Sequence, residues 1–301
     1  MKLVQKQTVL PWSWQAYLIV LLWCLLTSTT VIAADADLKP GDTIGPNNWQ
    51  RIQGMVGENF LNRIKAGHTI QIKAPKVYRP LKEYADATEK YSGKVRLGTN
   101  GELQGYVAGQ PFPKLDLSDP QIGQKLAWNF FWRWLGDDYK TGGAVKGGKI
   151  TDFNYKFLGE KKMLANLSQE NLPFNRKQGD YLPLDEKWEV VDTYVLEITP
   201  KNSDYCYPRK LLHLNKMTFD THWTLMWDKR GEYWKEQFGM FTPVKLADGR
   251  EAWSVADVVI VNVQNGRSTI VTATRSYNKG YPASMFSLAT LESIMRGGSI
   301  E

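Results

Sequence analysis

The sequence predicts a mainly β protein with helices (α+β), built as a large curved antiparallel sheet or half-open β-barrel enclosing one aromatic helix. Three observations predict it. From residue 149 to residue 276, eight apolar-rich segments follow one another, separated by turn residues. One segment, 119–136, is apolar around its whole circumference, the pattern of a helix buried on all sides or facing something apolar that is not protein. No internal repeat or low-complexity linker divides the chain.

Residues 1–33 carry Lys2 and Lys6, no acidic residue, and the apolar run 17–26. A basic start followed by a short apolar core is the pattern of a secretory signal peptide. Val31 and Ala33 occupy the two positions that cleavage requires to be small or modest, so the cut is expected between Ala33 and Ala34. Removing 33 of 301 residues leaves 268, expected in the periplasm. They should form one domain, 34–301, with a short helical extension at 34–67. The apolar run is too short to span a bilayer, so the mature chain is not expected to be an integral membrane protein. Cys24 lies inside that run behind Trp23, which argues against acylation there. Loss of Lys2 and Lys6 lowers the formal charge from +7 to +5, and the remaining cations are scattered. That distribution excludes nucleic acid as a partner. Cys206 is then the single cysteine, so no internal disulfide forms and the core rests on apolar burial.

Taken in order, Asn48 caps a turn at 49–54, and 58–65 is a short helix with Phe60, Leu61 and Ile64 on one side, read as a lid or brace. A strand is expected at 69–73, a polar helix at 81–91, and a hairpin at 95–107 turning on Asn100-Gly101 with positive φ at both centres. Asp119 and Pro120 open the aromatic helix and Gly136 closes it. Strands are expected at 149–158, 163–169, 187–199, 209–215, 221–227, 232–241, 252–264 and 267–276, the tight connections being 228–231 and 264–267. A final helix, 284–296, is capped by Ser284 and should close on the sheet through Phe286, Leu288, Leu291, Ile294 and Met295.

No catalytic chemistry assembles. There is no Gly-x-Ser-x-Gly elbow, phosphate loop or His-Glu-x-x-His helix. His68, His213 and His222 lack a third partner at ligand spacing, so no metal or cofactor is expected, and His213 and His222 read as partly exposed strand residues. Cys206 reads as a buried or half-buried inert thiol. The adjacent acids Asp137-Asp138 and Asp185-Glu186 read as turn residues, an acid-pair hydrolase being the weaker alternative. The functional signal is apolar. Phe219, Trp223, Leu225 and Trp227 alternate and so share a face, as Tyr233, Lys235 and Gln237 do opposite Trp234, Glu236 and Phe238. With Trp128, Phe131, Trp132 and Leu135 of the aromatic helix, the first four would line a hydrophobic cavity. The same pattern would equally fill a solid core.

Four stretches carry a family resemblance: GYVAGQPFP (105–113), LAWN (126–129), YPRKL (207–211) and WDKRGEYWK (227–235). In order and spacing, across residues 75–296, they resemble a family of unknown function in Gram-negative bacteria whose members are often labelled outer-membrane lipoprotein-sorting proteins. The resemblance implies a periplasmic protein similar in fold to the Lol lipoprotein carriers, which hold acyl chains in an apolar concavity. It also implies traffic with an envelope exporter of the resistance-nodulation-division type or an outer-membrane protein. Asn215 stands where an Asp is expected, Trp227 where Tyr is more usual, and the front end is shorter. The expected function is therefore a non-catalytic carrier of lipid, lipoprotein acyl chains or another hydrophobe, the alternative being a scaffold or accessory subunit of an envelope export complex.

Overall fold

Alternating apolar residues between evenly spaced turns generate the sheet that dominates this protein. The computed structural model describes residues 37–77, 79–131, 149–246, 249–272 and 283–297. In chain order the strands are β1 (Thr43–Ile44), β2 (Ile70–Lys73), β3 (Arg96–Leu97), β4 (Leu103–Gln104), β5 (Phe153–Ala165), β6 (Lys187–Pro200), β7 (Arg209–Asn215), β8 (Thr221–Trp227), β9 (Tyr233–Lys245), β10 (Glu251–Asn262) and β11 (Arg267–Thr272). The helices are α1 (Glu58–Lys65), α2 (Lys82–Tyr91), α3 (Ile122–Phe131) and α4 (Leu288–Met295). Strands β5 to β11 pair antiparallel in sequence order, β2 joins β6 in parallel, and β1 borders β2. The result is mostly β with a few helices: a nine-stranded mixed sheet not closed into a barrel, beside the separate β3–β4 hairpin.

Several elements differ from expectation for identifiable reasons. The strands expected at 149–158 and 163–169 are one strand, β5. Gly159, at φ +119, takes up a bulge, and the charged run Glu160-Lys161-Lys162 continues the ladder opposite Tyr194, Thr193 and Asp192. Beyond β5 the chain crosses to β9, where Asn166 bridges Met240 and accepts a bond from Phe241 N at 3.0 Å. In the β3–β4 hairpin only Gly101 takes positive φ, and the connection runs from Gly98 to Glu102 rather than through a two-residue turn. Asn48 does not cap the turn after it. Its side chain accepts from Gly45 N at 2.7 Å and donates to Thr43 O at 2.9 Å, tying that turn to β1. The C-terminal helix is shorter than expected, is capped by Ser287, and does not close on the sheet: Leu288 and Met295 are 79% and 80% exposed.

The two faces of the sheet follow from its register. Leu196, Leu212 and Thr224 stand opposite one another along one row, and Val195, His213, Trp223 and Phe238 along the next. Adjacent rows point to opposite faces. Helix α3 packs on the Leu212 face, where Ile122, Leu126 and Phe130 bury against Leu196, Ile198, Leu212, Leu214 and Phe219. Helix α1 packs on the Trp223 face. It is no lid or brace, because Phe60 and Ile64 have no exposed surface and Leu61 is buried with them.

Candidate functional site

On the α1 face the aromatic side chains make a filled core. The Phe60 ring lies 5.0 Å from Trp188, 5.4 Å from Trp223 and 5.6 Å from Phe238, in each case edge to face. The Trp223 indole donates to Leu164 O at 2.7 Å. The first turn of α1 is held by Glu236 of β9, whose carboxylate accepts from Asn59 N at 2.9 Å, from Phe60 N at 2.8 Å and from the Tyr233 hydroxyl at 2.9 Å. Gly57, at the helix start, is required there: a Cβ would strike the Glu236 carboxylate and lie 3.0 Å from the Trp223 ring.

The residues expected to line one cavity are divided between the two faces. Trp223, Leu225 and Trp227 lie on the α1 face, Trp223 fully buried and the other two half-buried. Phe219 does not share it. It precedes β8 at φ +55, and a bulge between His213 and Leu214 shifts the register, so its ring stacks on Tyr194 within the α3 cluster. Trp128 and Phe131 of α3 are half-buried at the edge of that cluster, packed edge to face on each other at 5.8 Å. Trp132 and Leu135, with Gly136 and the pair Asp137-Asp138, lie outside the described residues. In β9 a second bulge, between Met226 and Trp227, breaks the expected alternation. Tyr233 joins Glu236, while Trp234 stacks on Tyr207 beside Lys235.

Apolar packing holds α3 on its face, supplemented by a few polar ties to the loops before it. Asn129 accepts from Phe112 N at 2.9 Å and donates to Phe112 O at 2.7 Å, and the Trp128 indole donates to Gly101 O at 2.9 Å. Asp119 accepts from Gln121 N at 2.7 Å, as expected of a cap, and pairs with Lys125; it caps the turn that leads into regular helix at Ile122. Gly123 lets the helix lie directly on β5, where a Cβ would come within 2.5 Å of Tyr155 O.

The remaining titratable residues hold structure together. Glu186 is buried and accepts from Asn166, Glu170 N and Asn171, whereas Asp185 is exposed at φ +61, so these adjacent acids do not face one another. His213 and His222 are buried rather than partly exposed, at 3% and 1%. Cys206 is exposed rather than buried. Among the described residues no three His, Cys, Asp or Glu side chains come together as a metal group.

At the β7–β9 end of the α3 face lies a cluster that alternation alone does not disclose. Ile198, Lys210, Met226 and Lys235 form one cross-strand row. Lys210 is 4% exposed, and its ammonium lies 4.8 Å from the Tyr207 ring, 4.9 Å from Tyr205 and 5.9 Å from Phe153. Lys235 stands 5.1 Å from the Tyr207 ring and 4.0 Å from Trp234. Tyr205 and Tyr207 each accept one hydrogen bond, from Lys210 at 3.1 Å and from Lys235 at 3.0 Å. Burial lowers the Lys210 pKa to about 8. A pocket of about 360 Å³ opens beside the cluster, lined by Asp152, Phe153, Lys201, Asn202 and Tyr205 among others. Tyr207, Lys210, Trp234 and Lys235 of the cluster fall within the YPRKL and WDKRGEYWK stretches, the signal by which the sequence marks this place.

The family model described as protein of unknown function (DUF1329) matches residues 43–144 and 143–292. This chain belongs to the DUF1329 family. No curated protein matches it. Similar solved structures include a domain named for outer membrane lipoprotein sorting from Vibrio parahaemolyticus, at 18% identity and TM-score 0.33, covering 48% of this DUF1329 chain and 50% of the other. A DUF1329 family protein from Desulfovibrio piger matches at 19% identity and TM-score 0.32, covering 48% and 49%. A LolA superfamily protein from Nitrosomonas europaea matches at 16% identity and TM-score 0.28, covering 46% and 50%. The chain thus spans about half the length of the solved structures it matches. Among the described residues no helix is long and apolar enough to cross a membrane.

Proposed function

We propose that this chain is a non-catalytic binding protein of the bacterial envelope that takes up a lipid acyl chain or similar hydrophobe on the face covered by α3. One observation carries the reading. Helix α3 has Ile122, Leu126, Ala127 and Phe130 buried and Trp128 and Phe131 half-buried, so it is apolar over most of its circumference, the polar side being Gln124, Lys125 and Asn129. Such a helix, resting on Leu196, Leu212 and Leu214, is held chiefly by a non-directional interaction of about 25 cal/mol per Å², which an acyl chain can replace. Phe131 and Trp128, half-buried at the edge of the cluster, would touch the chain first. The signal peptide pattern at 1–33 supports periplasmic location, with cleavage between Ala33 and Ala34. The test is native mass spectrometry of protein purified from the periplasm. Co-purified lipid, and a rise in melting temperature when it is restored after delipidation, support the proposal. Absence of both removes it.

A second reading, a scaffold or accessory subunit of an envelope complex, is favoured by the filled aromatic core of Phe60, Trp188, Trp223 and Phe238. It predicts capture of an envelope partner by cross-linking with no lipid dependence.

A further inference from the structure

We propose that the Lys210–Lys235 end of the α3 face binds a phosphate or carboxylate group, and that this group is the head of an amphipathic ligand whose apolar body lies along α3. The second half rests on the binding role proposed above; the first does not.

The argument starts from charge. The arginines nearby have acid partners: Arg209 with Glu197 at 2.7 Å, and Arg230 with Asp228 at 3.0 Å and Glu232 at 2.7 Å. Among the described residues neither Lys210 nor Lys235 is paired with a carboxylate. Taking an ammonium out of water without a counter-charge is costly. Met226, between the two lysines in the same row, shows that an uncharged side chain is accommodated there. Apolar packing by itself therefore does not call for a charge at these two positions.

The surroundings suit an incoming anion. An ammonium carries three donors, and the phenol oxygens of Tyr205 and Tyr207 take up only one from each lysine. The rings of Phe153, Tyr205, Tyr207 and Trp234 stabilise the cations through their faces but bring no negative charge. Two rings of the cluster, Phe153 and Tyr205, also line the pocket of about 360 Å³, to which Lys201 adds a third cation. The one acid in that wall, Asp152, accepts a hydrogen bond from Lys149 N at 2.8 Å. The cluster continues along the face on which α3 packs, so a head held at Lys210 and Lys235 would direct an attached chain toward Leu212 and Leu196.

The experiment is calorimetric titration of the mature protein with three probes: 1-lauroyl lysophosphatidylglycerol, uncharged 1-monolaurin, and inorganic phosphate. Each is repeated on Lys210→Met and on Lys235→Met, the second being half-buried and safer for folding. The anionic amphiphile is expected to bind at least about tenfold more tightly than monolaurin, the gain one charge-assisted hydrogen bond gives. Either substitution should erase that preference and leave monolaurin affinity unchanged. Phosphate binding that depends on Lys235, with neither amphiphile bound, upholds the anion site and removes the carrier reading. Equal affinity for the two amphiphiles, with no phosphate binding, overturns the proposal. So does a preference that survives both substitutions.

Discussion

Glu236 is fully buried, and what it holds explains why a carboxylate stands there. Removing its side chain orphans the N–H groups of Asn59 and Phe60, so Glu236→Ala should destabilise by about 3 kcal/mol in urea unfolding. Burial, partly opposed by hydrogen bonds from Asn59, Tyr233 and Phe60 and reinforced by Glu58, lifts the pKa of Glu236 from 4.5 to about 7. The folded state then holds a proton that the unfolded state has released between those values. Stability from this residue is complete below pH 4.5 and is lost as pH rises through 7. Glu236→Gln should flatten that slope, about 2 to 3 kcal/mol between pH 4.5 and 7.5. His213 opposes it. Among the described residues neither of its ring nitrogens has a hydrogen-bond partner, and burial, with the nearby Lys161 charge, lowers its pKa from 6.5 to about 3. Here the unfolded state gains the proton first, so stability falls with pH from 6.5 toward 3. In His213→Leu the melting temperature should rise on acidification from pH 7 to 5, because the opposing slope is gone while Glu236 and Glu189, both raised by burial, remain.

At the scale of elements, α1 and α3 differ in what they anchor. Phe60→Ala opens a void among three large rings and should destabilise by about 3–5 kcal/mol. Trp128→Ala, at the edge of the α3 cluster, should cost about half as much, both measured by chemical unfolding. Leu288→Lys and Met295→Lys on α4 should leave stability within about 0.5 kcal/mol, since both side chains are already in water. The bounds of α1, β7 and β8 were legible because each is a short run between clear turn residues. What α1 does was not legible, because three apolar residues on a polar helix read the same whether they brace a surface or enter a core. The faces of β8 and β9 were misread for a different reason. Alternation presumes an unbroken ladder, and the shifts at His213/Leu214 and Met226/Trp227 each reverse which residues share a side. Lys210 and Lys235 were visible within the motif stretches, but their convergence on Tyr207 depends on the strand register across β7, β8 and β9, which the stretches alone do not give.

For the whole molecule, the question is whether the two faces open together. The α1 face is closed by directional ties: the Glu236 bonds, the Trp223 indole on Leu164 O, and the Asn166 bridge from β5 to β9. The α3 face is closed mainly by apolar contact, with its polar ties reaching loops rather than the sheet. Local opening free energies follow such differences. Amides of α3 should therefore exchange with solvent through an opening several kcal/mol below the global unfolding free energy, while β7 and β8 exchange only on global unfolding. Gly123→Val, which sets a side chain against Tyr155 O, should lower the α3 opening energy further and raise binding of an apolar dye, with β7 and β8 protection unchanged. Hydrogen exchange read by mass spectrometry separates the outcomes. If α3 is protected as deeply as β7, the helix is a fixed part of the core, and a carrier that admits an acyl chain by displacing it is ruled out.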